Sequence, residues 1–171
     1  MRFLKKNKSD IVYLCISDLH LGAGHFYNGK KNNLEDFYYD KELVEFLQFY
    51  RKGTYEKKSV ELIINGDFLD FLAVPYVEYF DDEFWSEEAS LDKLKIIMSS
   101  HEEVFKELKL FLEEKNKKIT YVIGNHDAEL ALTKVRNYFF KFFDGKMNIV
   151  SDHNEGYRPH PEILIAHGQM E

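Results

Sequence analysis

The chain has little of several features that mark specialised classes of protein. Its 171 residues include one cysteine and three prolines, so no disulfide framework forms within the chain and no proline-rich linker divides it. Its apolar runs, such as residues 11–16, are too short for a membrane span or a signal sequence. We therefore expect a single domain over residues 1–171 in the cytoplasm, with Cys15 as a small buried core residue.

The chain also lacks an excess of basic charge. It carries 23 Lys and Arg residues against 30 Asp and Glu residues, which gives a net charge of -7. A protein that binds nucleic acid strongly and without sequence preference presents basic side chains to the phosphate backbone. We therefore expect no strong nucleic-acid binding.

Apolar runs and helical patterns alternate along the chain. Continuous apolar runs predict strands over residues 11–17, 60–65, 118–123 and 162–166, with a short extra strand over 147–150. Apolar residues at helical spacing predict helices over residues 34–51, 91–114 and 130–143. This alternation predicts an α/β fold with a largely parallel sheet flanked by helices.

Polar motifs follow the predicted strands. In chain order they are Asp18-Leu19-His20, Gly66-Asp67-Phe68-Leu69-Asp70, Gly124-Asn125-His126-Asp127 and His167-Gly168. Each alone is explained as an ordinary loop or helix cap, but all four fall at predicted strand ends. The carboxyl ends of parallel strands meet at one edge of a sheet, where ligands bind. Asp, Asn and His side chains at that edge suit divalent ions that activate water against phosphate esters.

Together the motifs resemble the first four signature blocks of the calcineurin-like metallophosphoesterases. The resemblance spans residues 18–168, and residues 18–22 are similar to the bacterial branch that includes UDP-2,3-diacylglucosamine hydrolase and the SbcD-type nucleases. It implies the N-terminal half of an αββα sandwich and two bound divalent ions (Mn, Fe or Zn). It also implies hydrolysis of a phosphate monoester or diester by a hydroxide that bridges the ions.

The resemblance implies a ligand role for five of the motif residues. Asp18 and His20 would bind the first ion. Asp67 would bridge both ions, because a carboxylate offers two oxygens. Asn125 and His167 would bind the second ion.

Two further residues would act on the substrate. By the same resemblance, His126 would face the phosphoester and stabilise the transition state or protonate the leaving oxygen. Asp70 would hydrogen-bond His126 and hold its charged form. Asp127, at the end of the same motif, is expected to cap the following helix.

The residues around the second and third motifs bear on the substrate. Aromatic residues run from Phe71 to Trp85 and either cap the metal ions or pack a local helix on the domain. Similarity to the diacylglucosamine hydrolase leads us to expect an arginine soon after the third block, but Ala128-Glu129-Leu130 follow it. The sequence therefore identifies no particular substrate.

A fifth family block, Gly-His-x-His, has no match in the chain. We expect the chain to be truncated at its C-terminus. Two alternatives stay open: a second subunit supplies the absent ligands, or the chain is a catalytically silent metal-binding or interaction module. Half of such a fold leaves an apolar sheet face uncovered, so we expect a homo-oligomer formed through that face.

Overall fold

A computed structural model of the chain describes residues 11–75, 86–151 and 156–168. The strands in these ranges are β1 (Ile11–Ile16), β2 (Phe26–Tyr27), β3 (Lys30–Lys31), β4 (Ser59–Asn65), β5 (Lys117–Val122), β6 (Asn148–Val150), β7 (Tyr157–His160) and β8 (Ile163–Ile165). The α-helices are α1 (Asp40–Arg51), α2 (Glu87–Ser100), α3 (Glu102–Glu113) and α4 (Thr133–Phe142). No helix in the described part of the chain is both long enough and apolar enough to cross a membrane.

The main sheet is parallel, with the strand order β1-β4-β5-β6. Parallel neighbours need a crossover, and each crossover here carries at least one helix. Helix α1 lies between β1 and β4 in the chain, α2 and α3 lie between β4 and β5, and α4 lies between β5 and β6. The predicted fold class, an α/β fold with a largely parallel sheet flanked by helices, is confirmed.

The core lies on one face of this sheet. Side chains alternate along a strand, so Leu62 and Ile64 of β4 join Ile119 and Tyr121 of β5 in one buried cluster with the helices. Phe71, from the aromatic stretch after the second motif, is fully buried in the same cluster. The rest of that stretch, residues 76–85, lies outside the described residues.

The last predicted strand does not join the parallel sheet. Strand β8 pairs with β7 in a separate antiparallel hairpin. This hairpin is held to the main sheet by polar contacts: the Tyr13 hydroxyl donates to the Pro159 carbonyl over 3.1 Å, and the Tyr157 hydroxyl donates to Glu61. Strands β7 and β8 are bonded to each other and, through Pro159 and Tyr157, to the face of the main sheet. Neither strand therefore needs to pair along the edge of that sheet.

Cys15 is exposed, so the prediction that it is buried is wrong. Its neighbours Leu14 and Ile16 pack against the core. Alternation along β1 places Cys15 on the opposite face with Tyr13. The apolar run therefore predicts the strand correctly but not which of its side chains are covered.

The predicted helix over residues 91–114 is two helices that meet at His101. The backbone of His101 leaves the helical region (φ -116°, ψ 37°). Its ring is buried at 3% exposure and its Nδ1 lies 2.7 Å from Asp40 Oδ1. A periodic apolar pattern continues through such a break, because both helices bury their stripes against the same core.

Candidate metal centre

The loops that follow β1 and β4 run side by side beyond the end of the sheet. The Asp18 amide donates to the Gly66 carbonyl, and the His20 amide donates to the Asp67 carbonyl, over 3.2 and 2.9 Å. Leu21 and Leu69 continue the pairing as a parallel bridge. The first two motifs are therefore fixed against each other by backbone hydrogen bonds.

Three of the predicted ligands hold unusual backbone conformations. Asp18, His20 and Asp67 have φ values of 57°, 55° and 50°, in the left-handed region that non-glycine residues rarely adopt. Such strain persists where surrounding contacts impose it, and it clusters at functional sites. Here the inter-loop hydrogen bonds impose the conformation on three neighbouring residues of one edge.

Asp67 lies at the centre of the site and is 4% exposed. Its Oδ1 accepts from the His126 amide over 2.9 Å, and its Oδ2 lies 3.2 Å from His167 Nε2. The carboxylate therefore touches the third and fourth motifs. A carboxylate has about four lone-pair positions, so these contacts leave acceptor capacity for a cation.

Two glycines permit this close packing. A Cβ at Gly124 would lie 2.2 Å from Asp67 Oδ1, and a Cβ at Gly66 would lie 2.4 Å from the His167 ring. Real Cβ atoms do not approach other atoms so closely, so no other residue fits at either position without displacing a site residue. The glycines before Asp67 and Asn125 are part of the geometry of the site.

Asp70 joins two histidines. Its Oδ2 lies 3.3 Å from His20 Nδ1 and 3.2 Å from His126 Nδ1, while its Oδ1 accepts from the amides of Leu72 and Ala73. The two imidazole rings meet edge to face with their centroids 4.6 Å apart. Asp70 thus orients both rings through Nδ1 and leaves both Nε2 atoms available.

His167 follows the same pattern. Its Nδ1 lies 2.7 Å from the Asn65 carbonyl oxygen, which only accepts hydrogen bonds, so Nδ1 carries the proton. Its Nε2 is then the atom left to bind a cation, next to Asp67. Histidine ligands commonly bind with one ring nitrogen while the other is held by a carbonyl or a carboxylate.

The structure brings some of the predicted site residues together and leaves others apart. Asp18, His20 and Asp67 form one group whose donor atoms all lie within 4.8 Å of one another, and His20, Asp70 and His126 form a second. Asn125 is exposed in the turn before His126. Its side chain makes no hydrogen bond within the described ranges that joins it to these groups.

Asp127 does not cap a helix, which corrects the prediction. It precedes a 3-10 turn (Ala128–Ala131) but makes no side-chain bond to it. Its fully buried carboxylate accepts from the Gly124 amide, the Phe68 amide and the Tyr121 hydroxyl, over 2.5, 3.1 and 2.6 Å. Asp127 therefore joins the second and third loops from beneath, and neither its burial nor these donors were visible in the sequence.

Two carboxyl groups at this edge have raised pKa values. Burial raises the pKa of Asp127 and the charge of Asp67 adds to the effect. Burial likewise raises the pKa of Glu129, with Asp127 and Asp70 adding to it. An accumulation of negative charge with O and N donors is what a divalent cation requires, so the residues present fit such an ion.

Fold and site together place possible metal-ligand groups at one edge of a parallel α/β sheet. The family model of the calcineurin-like phosphoesterases matches residues 11–170, and the chain belongs to that family. The parallel sheet and its flanking helices are consistent with an α/β metallophosphoesterase fold. Neither the curated proteins nor the solved structures contain a match to the chain.

Proposed function

We propose that this chain hydrolyses a phosphate monoester or diester with two divalent ions at the carboxyl edge of its sheet. The observation that carries the proposal is the meeting of Asp18, His20 and Asp67 within 4.8 Å. Phosphoester hydrolysis by metal-dependent enzymes is the general activity of the family to which the chain belongs. The substrate, the number of ions and their identity are parts of the proposal.

The ligand assignment follows the motifs. Asp18 and His20 would hold one ion, Asn125 and His167 would hold the other, and Asp67 would contact both. When bound, two such ions lower the pKa of a water molecule and neutralise charge on the phosphoryl group. The side chains bring only three carboxylate or amide groups and two imidazoles to this task, a mixed set that Mn²⁺, Fe²⁺ and Zn²⁺ all accept.

The dyad of His126 and Asp70 acts on the substrate. Asp70 engages His126 at Nδ1, and the histidine side chain is 32% exposed. Its Nε2 can therefore reach a bound ester from the solvent side. In the proposed role this atom donates a hydrogen bond to the phosphoryl oxygens, or a proton to the leaving oxygen.

Hydrolysis of p-nitrophenyl phosphate and bis(p-nitrophenyl) phosphate tests the proposal. We expect at most weak turnover from this chain with added Mn²⁺, none after chelation, and none from Asp67→Asn. The matched control is Asp144→Asn, an exposed aspartate paired with Lys109 outside the site. Turnover that survives chelation would contradict the proposal. Tight Mn²⁺ binding without turnover of either ester would favour the silent metal-binding module instead.

The remaining expectations concern the partners of the protein and its location in the cell. The hairpin covers part of the sheet face opposite the core, but Ile11 on that face is 48% exposed. We propose self-association through this region, and a monodisperse monomer at micromolar concentration in sedimentation would contradict it. The absence of strong nucleic-acid binding and the cytoplasmic location stay predictions from charge and cysteine content.

A further inference from the structure

His167 reaches the site from a distant part of the chain. It follows β8, and 102 positions separate it from Asn65, the last residue of β4. The hairpin that carries it belongs to a different sheet from the other site residues. Its position therefore depends on contacts between the hairpin and the end of β4.

Asn65 makes those contacts on both sides of the peptide bond that precedes His167. The Asn65 side-chain amide donates to the Ala166 carbonyl over 3.2 Å. The Asn65 backbone carbonyl accepts from His167 Nδ1 over 2.7 Å and from the Ser17 hydroxyl over 2.9 Å. One residue thus links the ends of β1, β4 and β8.

Packing alone does not explain an asparagine at this position. Its Oδ1 is buried and accepts no hydrogen bond within the described part of the chain. A buried amide oxygen without a donor destabilises a fold, and an apolar side chain would avoid that cost. In the described part of the chain, the Asn65 side chain is bonded through its amide nitrogen, which donates to the Ala166 carbonyl.

We propose that Asn65 is a positioning residue for His167. Its amide fixes the peptide bond before His167, so that the Nδ1 proton faces the Asn65 carbonyl and Nε2 faces Asp67. The inference rests on the proposed function, because it takes His167 as a metal ligand. It adds a residue that touches neither ion nor substrate.

The test is calorimetric titration of the folded chain with Mn²⁺. Asn65→Ala and Asn65→Leu both remove the donor, and the leucine keeps the side-chain volume. We expect each to weaken binding of one ion by about 10- to 100-fold, the usual effect of removing a group that orients a ligand. Asn116→Ala is the matched control, since the Asn116 side-chain amide also donates to the backbone, in this case to the Glu56 and Lys58 carbonyls at the opposite end of the sheet.

A double-mutant cycle distinguishes positioning of His167 by Asn65 from an overall loss of stability. In a His167→Ala background, Asn65→Ala should change Mn²⁺ affinity by no more than about twofold, because the ligand that it positions is gone. Asn116→Ala should lower thermal stability as much as Asn65→Ala while leaving Mn²⁺ affinity unchanged.

Three results would overturn the inference, and they differ in what they mean for the proposed function. If the unaltered chain binds Mn²⁺ but Asn65→Ala and Asn65→Leu bind it equally well, the positioning role is wrong and the proposed function stands. An equal loss from Asn65→Ala in both backgrounds would have the same meaning. If the unaltered chain binds no Mn²⁺, the proposed function and this inference fail together.

Discussion

Two clusters of acidic and histidine side chains lie within the same fold, and they differ in how their charges are satisfied. In the inner cluster, Glu35 is 1% exposed and accepts from the amides of Gly22, Gly24 and Phe37. His101 adds an ionic contact, with its Nε2 3.5 Å from Glu35 Oε1. At the metal edge, where the candidate metal centre lies, Asp70 meets His20 and His126 at Nδ1, which leaves their Nε2 atoms available. Asp67 lies beside Nε2 of His167.

The pKa directions separate the two clusters. Burial lowers the pKa of His101, but hydrogen bonds to Asp40 and Glu35 outweigh it and raise the pKa to about 9. Burial raises the pKa of Glu35, but His101 and the backbone amides outweigh it and lower the pKa. At the metal edge, Asp127 and Glu129 both have raised pKa values. The inner cluster therefore pairs its carboxylates with a histidine, whereas at the edge burial raises the pKa values of Asp127 and Glu129 and neighbouring carboxylates add to the effect. A cation at the edge would offset the charge of those carboxylates.

The largest difference between the two clusters is expected when Asp67, the central carboxylate of the metal edge, is removed. Asp67→Ala should lower Mn²⁺-dependent hydrolysis by at least about 1,000-fold, because both ions lose a ligand. The folded variant should also fail to bind Mn²⁺ in calorimetry. Activity within tenfold of the unaltered chain would show that Asp67 bridges nothing.

The substrate-facing dyad should behave differently from the ligands. His126→Gln should lower kcat by about 100-fold or more, the usual contribution of a positioned acid or base. Its Mn²⁺ affinity should match that of the unaltered chain, since His126 is not assigned as a ligand. Loss of Mn²⁺ binding in this variant would instead make His20, Asp70 and His126 a ligand set.

In the inner cluster, removal of the carboxylate should affect stability. Glu35→Ala leaves the amides of Gly22, Gly24 and Phe37 without their acceptor and removes one of the two carboxylates that contact His101, which costs about 3 kcal/mol of unfolding free energy. Urea denaturation measures it, with Glu113→Ala at the exposed end of α3 as the matched control. A loss no larger than that of the control would mean that the cluster contributes little.

The inner cluster should also give a stability that depends on pH. Because the pKa of His101 is raised to about 9, its contribution is complete below about pH 6.5 and is lost as the pH rises through 9. The unaltered chain should therefore lose about 2 kcal/mol of unfolding free energy over this range relative to His101→Gln. Parallel pH profiles for the two proteins would contradict the assignment.

The same comparison shows what the sequence could predict. The strand ends that carry the motifs followed from apolar runs and turn residues, and Asp18, Asp67 and His167 were all identified as site residues in this way. Local pattern is enough for Asp18 and Asp67, because a parallel sheet brings the ends of its strands to one edge. His167 follows a strand of the separate hairpin, so its place in the site depends on contacts with Asn65. Their roles as ligands stay predictions.

The inner cluster could not be predicted, because it depends on contacts between distant segments. Glu35 bonds loop amides and His101 breaks a helix whose apolar stripe runs on unchanged. Asp127 is similar: its sequence position favours a cap, but burial beneath two loops gives it other donors. The place of β8 outside the main sheet also depends on tertiary contacts. Tyr13 and Tyr157 bond the hairpin to the main sheet, and the apolar pattern of β8 itself does not show this.

In the proposed metal centre, two ions that share Asp67 would be held by residues 18, 20, 67, 125 and 167. Electron paramagnetic resonance of the folded chain loaded with two equivalents of Mn²⁺ tests it most directly. Ions bridged by one carboxylate lie about 3.5–4 Å apart, so the account predicts the spectrum of an exchange-coupled pair that Asp67→Ala abolishes. The spectrum of isolated, uncoupled Mn²⁺ at full loading would contradict it.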